Sequence, residues 1–216
     1  MEFHWIDIES WKRKAYFEHY LGQSKCTFSM TANLNVTVLL SQLRQKHVKL
    51  YPAFLYMISR VINSHEEFRT DFHGGKLGYW EQMNPCYTIF HRDDQTFSAI
   101  WTEFNEYFPL FYEHYLQDQQ QYQAQKGLFV KEMPANTFSV SSIPWVSFTG
   151  FNLNIYNEGE YLLPIITGGK YYQDGDHILL PVSLQMHHAV CDGYHAAVFM
   201  SELQELADTC GDWLGQ

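Results

Sequence analysis

Long apolar runs, a surplus of positive charge and Cys-x-x-Cys pairs are all missing from this sequence, and each absence removes a class of function. No stretch approaches the roughly 18 apolar residues that a membrane helix needs. The N-terminus, Met1-Glu2-Phe3-His4-Trp5, has no basic segment followed by an apolar one. The expectation is a soluble, cytoplasmic protein with no membrane partner. Only 14 residues are Lys or Arg and the formal net charge is -10, the wrong sign for a phosphate-backbone surface, so no nucleic-acid partner is expected. The four cysteines, Cys26, Cys86, Cys191 and Cys210, show no Cys-x-x-Cys spacing, so neither a metal site nor a disulfide framework is signalled. A glycine-rich phosphate loop is absent too, which leaves any nucleotide to be held by something other than a helix N-terminus.

What is present suffices for a core. With 46% hydrophobic and 18% charged residues the chain is of ordinary globular composition rather than disordered. No repeat, linker or compositional break divides it, so residues 1–216 read as one domain. Aromatics are abundant at 17%, which suits an aromatic-lined pocket, a subunit interface or simply an aromatic-rich core.

Along the chain, Ser10 to about Leu21 reads as a helix capped by Ser10 and ended by Gly22. Cys26 to Thr31 alternates like a strand. Val36 to Leu43 and Tyr51 to Ile62 read as helices divided by Lys46 to Lys49, with Pro52 tolerated in a first turn. Between Phe68 and Trp101, the segments Leu77 to Trp80, Cys86 to His91 and Thr96 to Trp101 are separated by turn residues and suggest an antiparallel meander. Phe108 to about Gln125 is a polar, Gln-rich helix.

Chemistry concentrates in Gln185-Met186-His187-His188-Ala189-Val190-Cys191-Asp192-Gly193-Tyr194-His195. It follows a short apolar run, Ile178 to Leu184, fit for a buried strand, and precedes Ala196 to Leu206, whose apolar residues recur at helical spacing. Adjacent histidines on extended backbone point to opposite sides, so at most one of them faces a given cleft while the other packs or bonds elsewhere. Asp192 and Gly193 supply turn chemistry and a helix cap. A neutral imidazole, with pKa near ~6.5, suits a general base at neutral pH.

His-His-x-x-x-Asp-Gly resembles the signature of the chloramphenicol acetyltransferase family and, more distantly, that of dihydrolipoamide acyltransferases and peptide-synthetase condensation domains. The first of these is favoured by stretches in its order: the Trp11 helix, Tyr51-Pro52, Pro85-x-x-Thr88-x-Phe90-His91, Thr96-Phe97-Ser98, Ser141-Ser142-Ile143-Pro144-Trp145-Val146, Phe151-Asn152-Leu153-Asn154 and Pro164-Ile165-Ile166-Thr167.

The resemblance implies a two-layer α/β sandwich with a mixed sheet, with helices from Ser10, Val36, Tyr51, Phe108 and Asp192, and O-acetylation of chloramphenicol by acetyl-CoA, an antibiotic-inactivating reaction. Acetyl-CoA enters as a co-substrate, and no cofactor is permanently bound. His188 is implied as the base, its imidazole held by its own backbone carbonyl. Ser141 is implied as the oxyanion donor and Thr167 as a helper through a water. Asp192 is implied in a largely buried ion pair with Arg13 that supports the site rather than orienting His188. Tyr20, Phe28, Phe151 and Leu153 are implied around the acceptor, Tyr171 under the adenine and Lys170 near the phosphates. Gly168-Gly169 stands where the family carries larger residues. The assembly implied is a homotrimer with sites at subunit boundaries, where His188 comes from one subunit and Tyr20, Phe28 and Ser141 come from its neighbour.

Two readings compete. One is an acyltransferase of the same fold acting on another small alcohol or thiol, such as a lipoyl arm, although a lipoyl enzyme is expected to carry further domains for which 216 residues leave no room. The other is a non-catalytic binding protein that kept the fold.

Overall fold

The structure, a computed structural model, describes residues 2–155 and 160–215. Its larger sheet is mixed. It contains β2 (Thr27–Asn35), β5 (Asn84–His91), β6 (Thr96–Trp101), β7 (Thr137–Ser142), β8 (Ile165–Gly168) and β10 (His177–His187), in the order β2-β10-β8-β7-β5-β6. A short β9 (Tyr172–Asp174) pairs with the start of β10. The pairs β5–β7 and β7–β8 are parallel and the rest antiparallel. Helices α2 (Thr37–Gln45), α3 (Leu50–Ser64), α4 (Phe108–Tyr122) and α5 (Gly193–Asp208) supply the second layer.

Strand alternation explains how β10 serves two faces. Leu180, Val182, Leu184 and Met186 join the main hydrophobic cluster together with α3 and α5 residues such as Ala53, Met57 and Phe199. Ser183, Gln185 and His187 point the other way and are nonetheless buried. Helix α3 sits at the centre: Pro52 to Ser59, Val61 and Ile62 are all buried, the mark of a helix covered on most sides.

The first helix departs from the sequence reading. Ser10 does not cap it, because its hydroxyl turns back to Asp7, donating to the carboxylate at 2.9 Å. The α-helix α1 covers only Lys14–Glu18, with Arg13 at its start, and His19–Gln23 continues as one wider π turn closed by Ser24 N–H on His19 O at 2.8 Å. Insertions of this kind recur at functional sites, and this one carries Tyr20.

The expected meander also splits. Strand β4 (Lys76–Trp80) does not neighbour β5. It pairs with β1 (Phe3–Trp5) and β3 (Thr70–His73) in a separate three-stranded sheet, while only β5 and β6 form a hairpin. Gly78 permits this, since a Cβ there would meet His4 O and the Phe3 ring at 2.3 Å. Strand β5 turns instead to β7, with Asn84 opposite Thr137.

Candidate active site

His187 and His188 do point apart. His187 ends β10 on its buried polar face, and its Nδ1 accepts the Ala189 N–H at 3.1 Å, which fixes the turn that follows. His188 is half-buried on the other side. Its N–H donates to Cys26 O at 2.9 Å, so the turn is tied to the start of β2. Tyr20, delivered by the π turn, stacks on the His188 ring with centroids 4.0 Å apart and planes 7° apart, and Phe28 of β2 closes another side at 5.4 Å. The ring Nδ1 is buried without a hydrogen-bond partner among the described residues. The expected grip of its own carbonyl is therefore missing, and aromatic packing sets the ring plane in its place.

Asp192 does not reach that ring. Oδ2 accepts from Arg13 Nη1 at 3.2 Å; Oδ1 accepts from Tyr194 N–H at 3.0 Å and lies 3.0 Å from His195 Nδ1. Burial pushes the Asp192 carboxyl up but is outweighed by the Arg13 hydrogen bond and by His195, so its pKa falls below the ordinary carboxylate range. The pair is less buried than expected: the Arg13 side chain is 10% exposed but that of Asp192 36%. His195, which the sequence reading did not single out, also brings its Nε2 to 3.8 Å from Glu67.

The consequence for Asp192→Ala is a loss nearer that of a helix cap, about 0.5–2 kcal/mol, than the ~3–5 kcal/mol of a fully buried pair broken on one side. A depressed folded-state pKa makes the carboxylate's contribution full above its unfolded value, about 3.9, and lost as pH falls through the lower folded value. Chemical denaturation of wild type and variant should show a stability gap at pH 7 that closes as the pH drops below 4. A gap independent of pH would detach the effect from the ionised carboxylate.

Ser141, near the end of β7, opens onto a cleft of about 890 Å³. Phe151, Leu153, Lys170 and Tyr171 line the same cleft; Tyr20, Phe28 and His188 do not. Strand register shows why. Ser141 lies opposite Thr167, and Thr167 opposite Ser183. His187 is four residues beyond Ser183, roughly 13 Å at the strand rise, and Ser141 is two strands away, roughly 10 Å more across the sheet. Within one chain, His188 and Ser141 cannot touch the same reacting carbon. Thr167 is buried in the row beside Ser141 without lining the cleft.

Within the chain Tyr20 and Phe28 pack on His188 and lie apart from Ser141 and its cleft. The cleft also holds residues that the sequence did not reveal. Lys49, just before α3, and Arg92, in the β5–β6 turn, join Lys170 around it, and none of the three cations has a carboxylate partner within 4.0 Å among the described residues. Lys49 and Arg92 are isolated cations in connecting segments, and no local pattern in the sequence marks them. Trp145, 62% exposed and edge-on to Phe90 at 4.9 Å, forms part of the rim. Among the described residues no helix is long and apolar enough to cross a membrane.

Comparison with known proteins gives the chain a lineage. A family model described as chloramphenicol acetyltransferase matches residues 1–204. A chloramphenicol acetyltransferase of Clostridium perfringens is 57% identical over 218 residues, covering 100% of both chains. Among solved structures, a chloramphenicol acetyltransferase superposes with a TM-score of 0.85 at 18% identity, over 95% of this chain and 100% of that one. A dihydrolipoamide acetyltransferase of Azotobacter vinelandii superposes at 0.63 and 18% identity, over 87% and 84%, which extends the fold to lipoamide acyltransferases. Matched along nearly its whole length by the family model, and more than half identical to a relative from end to end, this acyltransferase belongs to the chloramphenicol acetyltransferase family.

Proposed function

We propose that the protein, acting as one catalytic domain, transfers the acetyl group of acetyl-CoA to a hydroxyl of chloramphenicol and so inactivates the antibiotic. The observation that carries this reading is the cleft. It joins a hydroxyl donor, Ser141, to aromatic and apolar walls and to three cations without a carboxylate partner among the described residues, and its volume lies at the upper end of ordinary ligand sites, ~300–1,000 Å³. An apolar aromatic acceptor suits Phe151 and Leu153. The phosphates of a coenzyme suit Lys170, Lys49 and Arg92, and Tyr171, 42% exposed, offers its ring to an adenine.

The chemistry follows from what each group can do. His188 serves as the base. Because Nδ1 is enclosed, Nε2 is the nitrogen that takes the proton of the attacking hydroxyl. Oxygen then bonds to the thioester carbon, the carbonyl electrons move onto oxygen, and the Ser141 hydroxyl donates to that oxyanion, with Thr167 supporting through a water. Collapse expels the coenzyme thiolate, which recovers the proton from His188. Asp192 and Arg13 hold the start of α5 against the first helix and do not exchange the proton. Since His188 and Ser141 of one chain lie too far apart, the site forms between copies in a homotrimer.

One assay separates this reading from its rivals: release of free thiol from acetyl-CoA, with chloramphenicol as acceptor. Rapid chloramphenicol-dependent release is the expected result. Release only with another alcohol or with a dithiol would move the acceptor, and no release with any acceptor would favour a binding protein. In the same assay Ser141→Ala should lower kcat by about 10²–10³-fold, the worth of one oxyanion donor; a drop below tenfold would remove Ser141 from that role.

A further inference from the structure

Two glycines end β8 at the wall of the cleft, and neither is required by its backbone. Gly168 and Gly169 are absent from the positive-φ residues, so their conformation would accept any side chain. What distinguishes them is the space where a Cβ would stand. On Gly168 it would lie 2.9 Å from Cε1 of Phe54, and on Gly169 it would lie 2.8 Å from Cε1 and 3.1 Å from Cδ1 of Phe148. Phe54 belongs to the buried core. Phe148 is half-buried on the segment after β7, and its ring lies 5.5 Å from that of Phe151, which lines the cleft.

The segment and the strand end are laced together on both sides of that contact. Ile143 N–H donates to Gly168 O at 2.8 Å, Lys170 N–H to Val146 O at 2.9 Å and the Ser147 hydroxyl to Lys170 O at 2.6 Å. Further on, the Ser183 hydroxyl donates to Phe151 O. Between these anchors the Phe148 ring lies against the position that a Gly169 Cβ would take, with Val146 O 3.3 Å from it.

We infer that Gly169 is a positioning residue for acceptor binding: by leaving its Cβ position to the Phe148 ring, it determines how far Phe151 reaches into the cleft. The inference rests on the cleft being the acceptor site proposed above. A side chain at 169 pushes the ring outward, and the ring carries Phe151 with it. Loss of an apolar wall contact made equally in ground and transition states raises KM without lowering kcat.

The test is a set of variants: Gly169→Val, the milder Gly169→Ala, Phe148→Leu and the double variant Gly169→Val with Phe148→Leu. Gly169→Val should raise the chloramphenicol KM about tenfold or more, with kcat nearly unchanged and the acetyl-CoA KM moved less. Gly169→Ala should move the same way by a smaller factor and keeps the question open to measurement if the valine variant does not fold. Removing the ring edge should rescue, so that the double variant returns to the KM of Phe148→Leu alone. Unchanged chloramphenicol KM in both Gly169 variants, or a double variant no better than Gly169→Val, would overturn the inference. Hydrogen exchange supplies a readout independent of turnover: the Lys170 and Ile143 amides should exchange faster in the Gly169 variants and recover in the double variant. If the wild-type protein does not acetylate chloramphenicol, the functional proposal falls, while unaltered exchange would still sink this one by itself.

Discussion

If His188 is the proposed general base, His188→Ala should lower turnover by about 10²–10⁴-fold, the usual worth of such a group, while the protein keeps nearly all its stability. The backbone bond from His188 N–H to Cys26 O survives the substitution, and the ring makes no hydrogen bond to a described residue through Nδ1. What is lost is the stacking on Tyr20 and the contact with Phe28, together worth about 0.5–1.5 kcal/mol for an aromatic pair. At roughly 2–4 °C per kcal/mol for a chain of this size, the melting temperature moves by only a few degrees. Calorimetry beside the thiol-release assay checks both halves of the expectation. A variant that kept more than a tenth of wild-type turnover would remove His188 as the base; one that lost activity only because it unfolded would place the residue in the core.

Mixing two inactive proteins should restore activity. In a trimer whose sites pair His188 of one copy with Ser141 of the next, His188→Ala co-refolded with Ser141→Ala in equal amounts gives sites drawn at random from four combinations. One of the four has both groups intact, so recovery should approach about a quarter of wild-type activity. Each variant refolded alone stays at its own low rate. The expectation rests on the register that puts Ser141 opposite Thr167 and Ser183 and leaves His188 well beyond that row. Light scattering establishes the mass, and differently tagged copies establish that mixed assemblies formed. A fully active monomer, or no recovery in verified mixed assemblies, would require both groups to serve a site within one chain.

Several parts of the site were legible because they are written in local patterns. The apolar Ile178 to Leu184 run, the two histidines and Asp192-Gly193 define a strand, a turn and a capped helix within one short stretch. The structure has that order, with β10 ending at His187, Asp192 capping and α5 beginning at Gly193. The opposite facing of His187 and His188 follows from strand geometry alone. Other parts depend on contacts far apart in the chain. The spacing around Ser10 looked like a helix start, but the Ser10 hydroxyl found a better acceptor in Asp7, and the shortened helix then opened into the π turn. Strand β4 has the same alternation as β5, yet β1 claims it, which no local pattern encodes. Lys49 and Arg92 are unremarkable until folding sets them around one cleft with Lys170.

Periodicity, capping and turn chemistry act over a few residues, so they were enough to place a histidine at a strand-to-helix turn, whereas the mixed sheet with helices packed on it was implied by the family resemblance. Which residues come together depends on folding. Strand order and register are set by pairings across much of the chain, and those pairings put Tyr20 and Phe28 on His188 while carrying Ser141, Phe151 and three cations to a separate cleft.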